Sequence, residues 1–417
     1  MYHCVLCIVV SLVGITVMFV MRAELCRDEM ELRSASQTAG LAALIDLAES
    51  LRIHAATGGK PGIAAIIPAR DEGVALADTL RSLARQILRP DRIVVVVNNS
   101  TDNTQDVALT YASTPGSIPT DVLEMPGFNQ HRKAGALNYG ICHLLRDGLL
   151  PPEIRFLLVM DGDTELDLHF LKRAYRILER DRTVGGVSAA CLGKPIRGGT
   201  QWSDLLLLFQ KVEYGRFAAT RLRRNIHTMS GAGSFYRAAA LNDLLCERAD
   251  VFEERASNLV EDYETTLALK MLGWRITSNQ GCIAYTDLMP TMRMLLAQRI
   301  RWVRGTVDEW RRYGWCRATY LSIIGMILSV PGIGYAALWG TMSARALILH
   351  GAHLDYRYAF LAAFWSIYQG FSVRHMGYKV VLFEMALVPE AIFNLVRNYW
   401  LLRSVLASYL DSARAWK

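Results

Sequence analysis

The stretch RFLLVMDGDTELD, residues 155–167, decides how this chain is interpreted. After Arg155 it begins as an apolar run typical of a buried strand, yet it leads directly into two carboxylates, Asp161 and Asp163, separated by one glycine. Paired carboxylates at a strand end can hold a hard cation such as Mg²⁺. An Asp-Gly pair is also a common turn former, so an ordinary surface turn is the alternative.

Two further apolar runs precede this stretch, IAAII at residues 63–67 and RIVVVV at residues 92–97. Between them, residues 73–86 read GVALADTLRSLARQ, a pattern that predicts a helix. Strands that are apolar on both faces and alternate with helices indicate an α/β fold with a mostly parallel sheet covered on both sides. Such sheets bind ligands at the carboxyl ends of their strands.

Each apolar run is followed by polar residues. PARDE (68–72) follows the first run, NNSTDNT (98–104) follows the second, and DGD follows the third. HRKAGALNYG (131–140) precedes the third run and puts Lys133 beside small residues that let a ligand approach the backbone. A metal on the two aspartates would clamp a diphosphate, and a lysine would add positive charge. This combination favours the metal site over the turn.

The composition indicates a membrane-attached protein in a reducing compartment. The 417 residues are 52% hydrophobic and 20% charged, with a formal net charge of +7. A basic excess suits nucleic acid, anionic substrates or an anionic membrane surface, but the arginines concentrate beside apolar segments, which argues against a nucleic-acid polymer as partner. The eight cysteines are scattered, so neither a disulfide framework nor a zinc site is expected.

Apolar segments near both ends predict membrane attachment. Residues 5–21 are uncharged and, with their flanks, long enough for an uncleaved N-terminal anchor. Residues 24–56 carry the apolar stripe of an amphipathic helix. Residues 320–342, 358–371 and 380–396 are further candidate spans. We therefore expect a multi-pass protein of the cytoplasmic membrane.

Residues 258–276, NLVEDYETTLALKMLGWRI, predict a helix that starts near Glu261 and Asp262 and stops at Gly273. Acidic residues near a helix N-terminus are stabilised by the helix dipole, which is a purely structural explanation. The functional alternative is that one of them is a general base facing a substrate.

Residues 297–305, AQRIRWVRG, place Gln298, Arg301 and Trp302 on one face of a helix. A basic helix lying on the bilayer explains this pattern without any chemistry. The alternative is a guanidinium that binds phosphate and an indole that stacks on a sugar. The two interpretations are compatible.

Taken in order, four motifs resemble those of the membrane-bound inverting glycosyltransferases of family 2. That group includes cellulose, chitin, hyaluronan and poly-N-acetylglucosamine synthases and the nodulation chitin-oligosaccharide synthase. The motifs are KAGALN at 133–138, DGD at 161–163, VED at 260–262 ahead of GWR, and QRIRW at 298–302, which matches the family's Q-x-x-R-W. The resemblance covers residues 61–310 and implies a nucleotide-sugar-binding domain of the GT-A type.

The resemblance also implies roles for individual residues. Asp161 and Asp163 would hold Mg²⁺ or Mn²⁺ on the donor diphosphate, with Asp163 the more direct ligand. Asp262 would deprotonate the acceptor hydroxyl, with Glu261 beside it. The residues implied at the donor are Pro68, Arg70, Glu72, Asn98, Asp102, Lys133, Asp161 and Arg301. The residues implied at the acceptor are Ser230, Gly231, Gln298 and Trp302.

With this resemblance the chain is predicted to have five parts. They are an anchor at 1–22, an amphipathic linker at 23–60, a cytoplasmic catalytic domain at 61–292, an interface helix at 293–316 and a transmembrane region at 317–417.

One departure concerns the donor base. Asn98 stands where the family usually has an aspartate that contacts uracil; its amide can still accept from a ring N–H, so a uridine donor is expected.

Three functions follow as hypotheses. The first is a processive β-glycan synthase, and the second adds a single sugar to a polyprenyl lipid, glycolipid or protein. The third is a non-enzymatic protein that binds nucleotide sugars, supported only by the Asn98-Asn99 change.

Overall fold

The computed structural model describes residues 62–194, 201–220, 226–255, 257–327, 363–364, 366–371, 373–374, 377–386 and 388–410. The chain divides into two units, Met1–Lys60 and Pro61–Lys417, and every described residue belongs to the second. The predicted anchor at 1–22 and linker at 23–60 therefore lie outside the described residues.

The second unit is built on an eight-stranded sheet with the strand order β3-β2-β1-β4-β7-β6-β8-β5. The strands are β1 (Ile63–Ala69), β2 (Arg92–Val97), β3 (Thr120–Glu124), β4 (Phe156–Val159), β5 (Glu165–Leu166), β6 (Val184–Gly193), β7 (Ser234–Arg237) and β8 (Arg275–Thr286).

Strands β1 to β4 form a parallel half. Ile66 of β1 lies opposite Val94 of β2 on one side and Val159 of β4 on the other. Nearly all side chains of these three strands are buried, since β-branched and leucine residues pack well on both faces of a covered sheet. β7 is antiparallel to β4 and β6, β5 is antiparallel to β8, and β6 is parallel to β8. The predicted α/β fold is confirmed, with a sheet that is parallel in one half and mixed in the other.

Helices pack around this sheet. The labelled helices are α1 (Leu76–Ala84), α2 (Thr104–Ser113), α3 (Arg132–Leu144), α4 (Phe170–Arg180), α5 (Gln201–Thr220), α6 (Ala238–Glu247), α7 (Glu261–Met271), α8 (Met292–Tyr313), α9 (Tyr378–Met385) and α10 (Val388–Leu410). α3 contacts β1 and β2, and α4 contacts β6 and β8. α7 ends where predicted, because Gly273 adopts the left-handed conformation (φ 95°) that favours glycine.

α8 carries the QRIRW motif and packs against α10. Thr291 Oγ1 caps its start by accepting from the Met294 N–H at 3.3 Å. Its Leu295 joins a buried cluster with Phe393 and Trp400 of α10. The helix begins at Met292, one residue before the predicted boundary at 293. Its contacts with α10 hold it against the C-terminal helices.

Within the described ranges, no helix combines the length and the apolar character needed to cross a membrane. Of the predicted spans, residues 5–21 lie outside those ranges, and 320–342 and 358–371 are described only in part. The candidate span at 380–396 is divided between α9 and α10. Pro389 lies in the first turn of α10, where its missing N–H removes no helical hydrogen bond.

Candidate active site

The loops that follow β1, β2 and β4 meet at one edge of the sheet. The Gly73 N–H donates to Asp102 Oδ2 at 2.9 Å, which joins the loop after β1 to the loop after β2. Thr79 Oγ1 of α1 donates to the carbonyl oxygen of Gly162 at 2.7 Å, which fixes the DGD turn. The predicted donor residues therefore share one surface at the carboxyl ends of the strands, as the parallel topology requires.

Lys133, in the first turn of α3, lies at the centre of this surface. Its Nζ is 2.5 Å from Asp161 Oδ1 and 3.2 Å from Glu261 Oε1. The same Nζ donates to the carbonyl oxygen of Gly231 at 3.4 Å. A Cβ on Gly231 would lie 2.8 Å from this Nζ, so the absence of a side chain there makes room for the ammonium. Lys133 thus joins the predicted metal ligand to the predicted acid pair.

Asp262 faces a small cavity at the start of α7. Its Oδ2 accepts from the Gly231 N–H at 2.8 Å, and its Oδ1 accepts from the Tyr263 N–H at 2.8 Å. These two bonds fix the orientation of the carboxylate. The predicted site residues that line the cavity are Lys133, Ser230, Gly231, Glu261 and Asp262.

The two neighbouring acids have different proton affinities. Burial and the negative charge of Glu261 raise the pKa of Asp262 to about 6. Burial acts in the same direction on Glu261, but the positive charges of Lys133 and Arg301 hold its pKa below the usual value. Asp262 is therefore the better proton acceptor of the pair, which is the property expected of a general base.

Carboxylates crowd the DGD turn, where a Cβ on Gly162 would lie 3.2 Å from Glu72 Cγ. Burial and the charge of Asp161 raise the pKa of Asp163 to about 6. Burial and the charges of Asp163 and Asp161 raise the pKa of Glu72 to about 7. Acids that repel one another in this way are stabilised by a bound cation, so the residues fit Mg²⁺ or Mn²⁺.

In the part of the chain that the structure describes, no group of three or more acidic, histidine or cysteine side chains is spaced to hold a metal. A metal on Asp161 and Asp163 would therefore take further ligands from water and substrate phosphates, which is the usual arrangement for Mg²⁺.

α8 brings its motif against α7. Burial lowers the pKa of Arg301, and the negative charges of the neighbouring Glu261 and Asp262 oppose this shift. Trp302 packs against the cluster that contains Val260 and Tyr263. Arg301 and Trp302 therefore both lie beside the start of α7.

A second arginine of the motif was not predicted as a site residue. Arg299 is buried, and its Cζ lies 4.4 Å from the centroid of the Trp302 ring, so one face of the predicted sugar-stacking indole is covered. Its Nη2 is 2.8 Å from Glu213 Oε2 of α5, and its Nη1 donates to Gln298 Oε1 at 2.5 Å. Nothing in the sequence links Glu213 to Arg299, since they are 86 positions apart.

Asn98 makes contacts that the sequence did not predict. Its Oδ1 accepts from Asn129 Nδ2 at 2.9 Å, and its Nδ2 donates to the carbonyl oxygen of Arg132 at 3.2 Å. Asn99 Nδ2 donates to the carbonyl oxygen of Asn129 at 3.1 Å. Asn98 and Asn99 thus hold the loop that leads into α3, and a contact of Asn98 with the donor base stays a prediction.

Asp102 also has structural partners. Its carboxylate accepts from the Thr104 hydroxyl and from the N–H groups of Gly73 and Thr104. These hydrogen bonds, with Thr104 first, lower the pKa of Asp102. Pro68 is the sixth residue of β1, and Arg70 follows the strand with an exposed side chain. The donor roles of these residues stay predictions.

Backbone strain is concentrated at the same edge. Three residues other than glycine have left-handed backbones here: Asp71 (φ 54°), Asn99 (φ 53°) and Arg132 (φ 57°). They lie after β1, after β2 and at the start of α3. Such conformations cost about 1–3 kcal/mol each and persist where surrounding contacts fix them, often at functional sites.

The comparisons with known proteins agree with this geometry. Residues 61–305 match the family described as Glycosyltransferase like family 2. A poly-β-1,6-N-acetyl-D-glucosamine synthase of Staphylococcus aureus (strain COL) is 24% identical over 250 residues, which is 58% of this chain and 54% of that protein. The corresponding Staphylococcus epidermidis synthase is 20% identical over 338 residues, covering 77% of this chain and 74% of that protein.

A solved structure shares the fold. A mannosyltransferase from Pyrobaculum calidifontis, in complex with GDP-mannose and Mn²⁺, aligns with a TM-score of 0.54 at 17% identity. The alignment covers 91% of this chain and 98% of that one. The chain spans about half the length (54%) of the Staphylococcus aureus relative. Because the family match covers more than half of the chain, this protein belongs to the family 2 glycosyltransferases.

Proposed function

We propose that the protein transfers a sugar from a nucleotide-diphosphate donor, a uridine nucleotide first of all, to a growing glycan with inversion at the anomeric carbon. The observation that carries this proposal is the position of Lys133, whose ammonium contacts both Asp161 and Glu261. A donor diphosphate at Asp161 and an acceptor hydroxyl at Asp262 would then be held within one site.

The proposed reaction is a single displacement. The acceptor oxygen forms a bond to the anomeric carbon as the bond to the diphosphate breaks, and the proton of the hydroxyl passes to Asp262. Lys133 and Arg301 stabilise the negative charge that builds up on the leaving diphosphate. Mg²⁺ or Mn²⁺ held by Asp161 and Asp163 would supply further positive charge there.

The donor pocket is proposed to lie among the loops that follow the strands. Pro68, Arg70 and Glu72 would line the nucleoside site, with Asn98 and Asp102 on the neighbouring loop. The side-chain amide of asparagine can accept two hydrogen bonds and donate two, so Asn98 would keep one of each for the N–H and carbonyl of uracil. The hydrogen bonds that Asn98 makes to Asn129 and Arg132 would orient it.

The acceptor is proposed to enter beside α8. Ser230 and Gly231 would contact the acceptor at the cavity, and Gln298 and Trp302 would lie at its entrance. The relatives are named as synthases of a glucosamine polymer, which favours a polysaccharide product. The alternative is transfer of a single sugar to a polyprenyl lipid, a glycolipid or a protein.

Attachment to the bilayer is part of the proposal. α10 exposes Leu395, Leu402 and Leu406, which repeat at helical spacing on one face. This face and the long apolar segments of the sequence suit a multi-pass protein of the cytoplasmic membrane with its catalytic domain in the cytoplasm.

The test uses purified protein in lipid vesicles with Mn²⁺ or Mg²⁺ and radiolabelled nucleotide sugars, beginning with UDP-N-acetylglucosamine and UDP-glucose. A product ladder or high polymer is expected, and Asp163→Ala should abolish it while membrane insertion persists. Label found only on lipid or protein would favour single addition. Wild-type turnover in Asp163→Ala would contradict the metal assignment.

A further inference from the structure

We propose that Lys133 is an exchangeable counter-ion of Asp161, which makes the binding of metal and of nucleotide diphosphate depend on each other. The inference rests on the proposed function, because it takes Asp161 as a metal ligand. Lys133 neutralises Asp161 before the substrates bind and exchanges this partner for the diphosphate when they do.

The hydrogen-bonding capacity of Lys133 is fully used within the protein. An ammonium has three N–H donors. Its partners are Asp161 Oδ1 at 2.5 Å, Glu261 Oε1 at 3.2 Å and the Gly231 carbonyl at 3.4 Å. Only the first of these belongs to the metal pair, so the ammonium neutralises Asp161 while it remains anchored at Glu261 and Gly231.

A metal ion and the ammonium compete for the same carboxylate. Asp161 is about one-third exposed and Lys133 is more buried than that, so their charges interact through little water. A divalent cation that binds Asp161 Oδ1 would stand next to a positive charge already in contact with that atom. Metal alone is therefore expected to bind weakly.

The donor diphosphate removes this competition. Its oxygens offer the ammonium a new acceptor, and the contacts to Glu261 and Gly231 persist, so Lys133 exchanges one partner of three. Asp161 is then available to the metal, and the metal and the ammonium both neutralise the phosphates. The two ligands should assist each other by roughly 5–150-fold, the usual range of coupling between sites.

This arrangement differs from a fixed structural ion pair. If Lys133 only held Asp161 and Glu261 in place, its removal would disorder the site and weaken the metal with or without nucleotide. If it is an exchangeable counter-ion, its removal strengthens the binding of metal alone and weakens the coupling. The two possibilities predict changes of opposite sign in a binding measurement that needs no turnover.

The experiment titrates Mn²⁺ into the full-length protein in detergent and follows free Mn²⁺ by electron paramagnetic resonance, without nucleotide and with saturating UDP or GDP. The variants are Lys133→Met and Lys133→Gln. Lys211→Met on α5 is the control, because it removes one ammonium from a residue that does not line the cavity. Thermal unfolding identifies any variant that fails to fold, and Lys133→Gln, which keeps a polar end, then replaces Lys133→Met.

The proposal expects Mn²⁺ alone to bind Lys133→Met about tenfold more tightly than wild type, and UDP to assist by less than about threefold. Equal or weaker Mn²⁺ binding in both Lys133 variants, with wild-type coupling, would overturn the exchange and leave the proposed function standing. Absence of Mn²⁺ binding to wild type under every condition would overturn both. Lys211→Met should match wild type throughout.

Discussion

Two acids on α7, Asp262 and Glu264, lie two residues apart and have opposite environments. Asp262 lines a cavity, and burial with the neighbouring Glu261 raises its pKa to about 6. Glu264 is fully buried, and its two oxygens accept from Arg248 Nη1 at 2.7 Å and Nη2 at 3.1 Å. The Tyr313 hydroxyl of α8 also donates to Glu264 at 2.7 Å.

The difference distinguishes an acid whose charge stabilises the fold, Glu264, from an acid that is available for chemistry, Asp262. Glu264 belongs to an ion network on the far side of α7, where each acid has an arginine partner; its other members are Glu253, Arg255, Glu309 and Arg312. Such a network holds α7 against α8. Asp262 instead has a neighbouring negative charge, and an acid in that state retains the ability to take up a proton.

The largest expected effect comes from Asp262→Asn. It removes the proton acceptor, so turnover should fall by about 10²–10⁴-fold, which is the usual contribution of a general base. Binding of the nucleotide should change little, because Asp262 is on the acceptor side. The matched control is Glu264→Gln, the same chemical change on the other side of the helix; we expect it to lower stability and to leave turnover per folded molecule within about threefold.

Arg248→Met tests whether the ion pair between Arg248 and Glu264 stabilises the fold. It leaves the buried Glu264 without its bidentate partner, so unfolding should become easier by about 3–5 kcal/mol. Chemical denaturation measures this loss. The double variant Arg248→Met with Glu264→Leu removes both charges and should recover most of it; a double variant less stable than Arg248→Met would contradict the pairing.

The pH profile of turnover tests the role of Asp262 without a substitution. The base must be unprotonated to act, and burial raises the pKa of Asp262 to about 6. We therefore expect kcat/KM to be nearly constant above about pH 7, to halve near about pH 6 and to approach a tenfold fall per pH unit below about pH 5. A profile that is flat down to pH 4.5 would mean that an acid with an ordinary pKa does the chemistry.

The smallest expected effect is at the contact between α7 and α8. Trp310 Nε1 donates to the Tyr263 hydroxyl at 2.7 Å, next to the base. Trp310→Phe removes this bond and should lower stability by about 1 kcal/mol. Turnover should stay close to wild type, and a loss beyond about tenfold would show that this hydrogen bond positions Asp262.

The sequence predicts the part of the molecule that depends on local pattern. Apolar strands alternating with helices led to the parallel half of the sheet, and the polar residues after each strand were expected to lie at one edge. Lys133, Asp161 and Glu261 were all predicted as site residues, and the structure brings them into contact. Strand ends in a parallel sheet meet wherever the chain folds as predicted, so this inference needs no long-range information.

What the sequence could not predict depends on distant partners. Glu213 pairs with Arg299, and Asn129 with Asn98, and neither pair has any periodicity that would connect its members. The partners of Asp102 were not predicted either: its oxygens accept from the Gly73 N–H of the loop after β1 and from the Thr104 N–H of its own loop. The division of residues 380–396 between α9 and α10 was likewise not predicted.

The most direct test of the account is the anomeric configuration of the product. The protein would be supplied with Mn²⁺ and an α-linked donor such as UDP-N-acetylglucosamine, and the new linkage followed by proton NMR from the earliest time points. A single displacement with Asp262 as the base predicts a β-linked product from the start. An α-linked product would contradict it, because a single in-line displacement always inverts the anomeric carbon.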